Sequence, residues 1–60
     1  MSKEKIIQKI LKEMKMIEVS KEGQEKAEKY LLKNLPEKDF SYSELHSWTE
    51  KAFKEIEIQP

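Results

Sequence analysis

His46 and Glu50 stand one helical turn apart and are spaced to share a metal ion. Two ligands do not make a site, and the rest of the sequence offers little to complete one. There is no cysteine, one histidine and one aspartate, so neither a Cys-His pair nor a multi-histidine centre can be assembled within the chain. The glutamates are spread among lysines and lack the Glu plus Glu-x-x-His pattern of a di-iron bundle. A single glycine, Gly23, excludes a phosphate-cradling loop. The sequence therefore predicts no catalytic residue, no metal and no cofactor. His46, at the edge of an apolar stripe beside Phe53, reads as a partly buried structural imidazole.

Twelve cations balance twelve acids, and every cation is lysine. Arginine is the residue suited to bidentate phosphate and base-edge contacts, so a sequence-reading nucleic-acid binder would be handicapped. The neutrality is unevenly distributed. Residues 1–17 hold five Lys against two Glu, whereas residues 35–60 hold three Lys against six acids. Such a dipolar chain can satisfy its charges internally or steer a charged partner. The lysine bias is common in AT-rich coding sequence and points to a low-GC bacterium, its phages or its plasmids. No uninterrupted apolar run opens the chain, since Ile6, Ile7, Ile10 and Leu11 are separated by Lys and Gln, which predicts a cytoplasmic protein with no signal peptide and no membrane span.

Three segments carry helical periodicity. Over residues 3–18, Ile6, Ile7, Ile10, Leu11, Met14 and Ile17 fall within an arc of about 140°, with Lys5, Lys9, Lys12 and Lys15 outside it. Ser2 is the expected N-cap, and Met16 breaks the pattern on the polar side. A second helix over 20–34 starts at Ser20, although Gly23 stands where a capping box would place Glu or Gln, and Ala27, Leu31, Leu32 and Leu35 form its apolar side. Glu22 with Lys26 and Glu25 with Lys29 have favourable i,i+4 spacing, and Leu35-Pro36 closes the segment. The third helix, 42–57, has the strongest start signal: Ser41 and Glu44 have capping-box spacing, and Phe40 and Leu45 occupy the hydrophobic-staple positions. Its apolar face is Leu45, Trp48, Ala52, Phe53 and Ile56, with Glu50 and Lys54 paired outside; Ile58 and Pro60 form a tail.

Three stripes, each too short to be stable alone, predict an all-α domain over residues 1–60, a small three-helix bundle. The alternative is a helical hairpin that completes its core as a homodimer through the a/d-like series Ile7, Ile10, Met14 and Ile17. The basic first helix also has the form of a membrane-surface segment, although it lacks a Trp or Phe anchor. Ser43-Glu44-Leu45 resembles the opening of the second helix in winged-helix domains, which makes a helix-turn-helix DNA-binding regulator the second functional reading. The acidic exposed face of the last helix argues against it. The order of Gly23, Leu31, Leu35, Ser41-Tyr42-Ser43-Glu44-Leu45 and Thr49-Glu50-Lys51-Ala52-Phe53-Lys54-Glu55-Ile56 is similar to the soluble helical tail of some small phage holin-like proteins, over residues 23–56. Those proteins carry a transmembrane helix before the tail and this sequence does not, so the resemblance implies phage context and no activity. Tyr30, Tyr42 and Trp48 flank apolar stripes, the place where interfaces collect aromatic contact area. The expected function is a non-enzymatic protein-protein interaction module, a phage- or plasmid-type regulator, inhibitor or adaptor of a host protein. Its expected contact residues are Met16, Tyr30, Tyr42 and Trp48, with Lys9 and Lys12 as steering charges.

Overall fold

The computed structural model describes residues 1–57, so the expected tail at 58–60 lies outside the described residues. Within them the chain forms three helices, α1 (Lys3–Met16), α2 (Lys21–Asn34) and α3 (Tyr42–Glu57), packed as an all-α bundle. Serines begin all three. The Ser2 hydroxyl accepts from the Lys5 N–H at 3.2 Å, with Glu4 in the first turn against the positive end of the helix dipole. Ser20 accepts from the Gly23 N–H at 3.1 Å. At α3 the capping box is reciprocal: the Glu44 N–H donates to Ser41 Oγ at 3.2 Å, and the Ser41 N–H donates to Glu44 Oε1 at 3.0 Å. Lys38 Nζ then holds the other carboxylate oxygen at 2.6 Å. These two donors, Lys38 first, keep the Glu44 carboxyl below the ordinary glutamate value of 4.5.

The end of α1 departs from the periodicity. Glu18 adopts a left-handed conformation with φ 60°, its N–H donates to the Lys15 carbonyl at 3.1 Å, and the Val19 N–H donates to the Met14 carbonyl at 2.9 Å. This is a Schellman ending in which Glu18 stands at the position usually given to glycine. The helix therefore stops at Met16, because Val19 turns back to pack on the core, and Ile17 leaves the apolar stripe with 60 % of its surface exposed.

Gly23 explains the incomplete capping box of α2. A Cβ there would stand 2.9 Å from Val19 Cγ1 and 3.8 Å from Ile56 Cδ1, so no glutamate fits without displacing a stiff β-branched neighbour. Gln24 makes a different bond across the start of the helix, its Nε2 donating to the Val19 carbonyl at 2.9 Å. At the other end Leu35 is extended ahead of Pro36, with ψ 129°, while its N–H still donates to the Leu31 carbonyl at 2.9 Å.

Gly23 lies against Ile56, and Tyr30 meets Trp48, so residue numbers on facing positions of α2 and α3 sum to 78 or 79. Such a constant sum defines an antiparallel hairpin in register along its length. A helix-turn-helix unit crosses at about 90–120° after a turn of roughly three or four residues; this connection runs from residue 35 to residue 41, and the helices meet both at the start of α2 and two turns further on at Tyr30. The same register sets Ala27 opposite Ala52, both fully buried. Against this pair of small residues α1 lays Ile6, Ile7, Ile10 and Met14, and Leu31, Leu35 and Phe40 close the core. The start of α1 is fastened to the α2–α3 connection, because the Met1 amine donates to the Phe40 carbonyl at 2.7 Å and the Phe40 N–H donates to the Met1 carbonyl at 2.6 Å. Lys3 Nζ adds a bond to the Leu32 carbonyl at 3.0 Å and faces Glu37 at 3.7 Å.

Besides Ile17, two side chains lie elsewhere than the stripes place them. Leu32 is 54 % exposed, since α1 covers the Ala27–Leu31–Leu35 side of α2 and Leu32 sits on the margin. His46 is exposed rather than partly buried, because α3 turns its Ala52 side to the core and carries residue 46 beyond the reach of α1.

Two substitutions test these endings. Glu18→Gly removes the steric cost of the left-handed position, about 1–2 kcal/mol, against a smaller loss of unfolded-state restriction, and should raise stability by about 0.5–1 kcal/mol in urea titration. The depressed Glu44 carboxyl contributes stability that is fully present above its ordinary value and is lost as pH falls through the lower folded value. Glu44→Gln keeps an acceptor for the Ser41 N–H and removes this titration, so its urea midpoint should fall less steeply below pH 4.5 than that of the parent chain.

Candidate functional site

The α2–α3 hairpin brings two of the expected contact residues together. With Ala27 and Ala52 filling the seam, the larger Tyr30 and Trp48 are displaced to its edge, where both remain half-buried. Their ring centroids are 6.4 Å apart and the planes are tilted by 53°, within the range of favourable aromatic pairing. The ammonium of Lys51, one turn further along α3, lies 4.4 Å above the centre of the indole. Asn34 Nδ2 donates to the Tyr30 carbonyl at 2.8 Å and fixes the last turn of α2 beside the tyrosine.

On the tyrosine side of this pair runs a groove of about 380 Å³ lined by Lys26, Lys29, Tyr30, Lys33, Asn34 and Glu55, with Trp48 and Lys51 next to it but outside its lining. Lys26, Lys29 and Lys33 follow i, i+3, i+7 spacing, which sets them in one row on α2. All three are exposed, as is Lys51, whereas Glu55 is half-buried. Among the described residues the ion pairs are Lys3 with Glu37 and Lys38 with Glu44, both away from the groove. The intrahelical pairs expected from spacing, Glu22 with Lys26, Glu25 with Lys29 and Glu50 with Lys54, are not formed. An exposed pair gains only about 0.3–0.5 kcal/mol, which barely offsets the cost of holding two long side chains together. The lysines of the groove are thus left without carboxylate partners.

The other expected residues lie elsewhere. Lys9, Lys12 and Met16 share one exposed side of α1, with Met16 at 74 % exposure, and no aromatic residue joins them there. Tyr42, 71 % exposed, stands at the first position of α3, six residues before Trp48 and about 120° round the helix from it. The aliphatic side of α1 is the core, since Ile6, Ile7, Ile10 and Met14 are buried, so that face is not presented to a membrane surface. No helix among the described residues is long and apolar enough to cross a membrane, and no group of three His, Cys, Asp or Glu there is placed to hold a metal ion.

Sequence reasoning missed Lys26, Lys29, Lys33, Lys51 and Glu55 as members of a shared surface. The i, i+3, i+7 spacing around Tyr30 was the available signal, but it points to a groove only once α3 is known to lie alongside. Comparison with protein-family models, curated proteins and solved structures found no match.

The environment of the single tryptophan can be read directly. Iodide should quench Trp48 emission several-fold more strongly than caesium, because the surrounding ammonium groups concentrate anions at the indole. Combined Lys26→Gln, Lys29→Gln, Lys33→Gln and Lys51→Gln should lower the iodide constant and leave the caesium constant unchanged or raised.

Proposed function

We propose that this chain is a small non-enzymatic protein-interaction module, acting as a regulator, inhibitor or adaptor, and that it binds its partner through the α2–α3 face. The observation that carries this reading is the half-buried Tyr30–Trp48 pair, whose tyrosine lines an open groove. A tryptophan held in place by a tyrosine and a lysine offers a large contact area whose orientation is already fixed in the free chain. Pre-ordering of this kind lowers the entropic cost of association, and Trp and Tyr are the types that dominate interface energetics. The site's chemistry supports recognition more than catalysis: it consists of ammonium groups, two aromatic rings, an amide and one carboxylate, with no nucleophile beside a base. Lys9 and Lys12 on α1 add positive charge that can steer an acidic partner from a distance. Met16 and Tyr42, both largely exposed, are secondary contacts in this reading.

Trp48→Ala should weaken the natural complex by more than about 1 kcal/mol while the far-ultraviolet helical signal of the isolated variant persists. The measurement is a Kd ratio by titration calorimetry, read beside circular dichroism. Unaltered affinity in a folded Trp48→Ala variant would remove the α2–α3 face from the interaction, and loss of the helical signal would assign Trp48 to the core.

A further inference from the structure

We propose that the α2–α3 groove receives an acidic segment of a partner protein, with carboxylates on Lys26, Lys29 and Lys33 and an apolar side chain against Tyr30 and Trp48. This inference rests on the protein-binding reading and adds the chemistry of the partner. Charge complementarity carries it. Three exposed lysines in one row line the groove against one carboxylate, Glu55, and none of the three is neutralised among the described residues. The row spans about 10 Å at the rise of an α-helix, so a partner helix bearing one Glu or Asp per turn matches it over two turns. Tyr30 in the wall of the groove, with the Trp48 ring packed 6.4 Å from it, supplies the apolar contact that fixes register.

A nucleic acid fits the same surface poorly. Lys51 occupies one face of the indole at 4.4 Å, and the 53° tilt between the rings leaves no shared flat platform on which successive bases could stack. Half-buried Glu55 puts a fixed negative charge in the path of a continuous phosphate backbone. A peptide can keep its carboxylates clear of Glu55, whereas a polyphosphate chain carries charge at every step.

The test uses the isotopically labelled full chain and three probes: a helical peptide of about twelve residues with Glu once per turn and Leu between, its Gln counterpart, and an oligothymidylate of similar length. The Glu peptide should shift the amide resonances of Lys26 to Asn34 and of Trp48 and change Trp48 fluorescence, with an affinity that falls as salt is added. The Gln peptide, and the Glu peptide on the combined Lys26→Gln, Lys29→Gln, Lys33→Gln variant, should each bind at least ~10-fold more weakly. A control variant, Lys5→Gln, Lys15→Gln, Lys21→Gln, removes an equal charge from exposed positions outside the groove and should bind the Glu peptide as the parent does. Absence of any shift with the Glu peptide at millimolar concentration, equal binding of the Gln peptide, equal loss in the control variant, or stronger shifts of the same amides by the oligonucleotide would each overturn the proposal. Equal binding of the Gln peptide in the groove would leave the protein-binding reading standing, which separates the failure of one from the failure of the other.

Discussion

The structure turns on an alanine facing an alanine. Ala27 and Ala52 occupy the seam between α2 and α3, and a small residue on each side lets two helices lie close. One consequence is that α1 can supply the bulk of the interior, with Ile6, Ile10 and Met14 fully enclosed beside Leu31. The other is that the aromatic side chains of the hairpin have no room at its centre. Tyr30, Trp48 and Phe53 are moved to the margins, where they shield the core and remain in contact with water. A larger residue at either alanine would separate the helices and dissolve the groove together with the seam.

How much of this was legible in the sequence depended on how local the governing interaction is. The serine caps were readable, because a hydroxyl and an amide two or three residues later decide them. The reciprocal bonds between Ser41 and Glu44 follow from the same local logic. The halt of α1 at Met16 was not readable, since it depends on Val19 finding the core, and an αL glutamate leaves no mark in composition. Gly23 looked like a flaw in a cap and proved to be a clearance for Val19, with Ile56 close by. Periodicity alone could not say which edge of each apolar stripe a neighbour would cover, and that is why Leu32 and His46 ended in solvent.

The candidate site was legible in part for the same reason. Tyr30 and Trp48 stood out by type, but their meeting is a property of the hairpin register and is separated by eighteen positions in the chain. The lysines of α2 were assigned to neighbouring glutamates by spacing, although exposed intrahelical pairs are weak and here remain open. The overall neutrality of the chain thus conceals a local surplus of positive charge that only the fold collects into one row.

The paired bonds between Met1 and Phe40 bear on the order in which the molecule assembles. Each hairpin joins elements adjacent in sequence, so the α1–α2 and α2–α3 contacts close short loops and form at little entropic cost. The Met1–Phe40 bonds close a loop that contains the whole of α1 and α2, and they have no neighbouring ladder to extend. Loop closure of that length costs more entropy than either hairpin, so these bonds are expected to form late and open early, as a latch on the loop that feeds α3. With that latch released, the capping box of Ser41 and Glu44 would have to hold the start of α3 unaided.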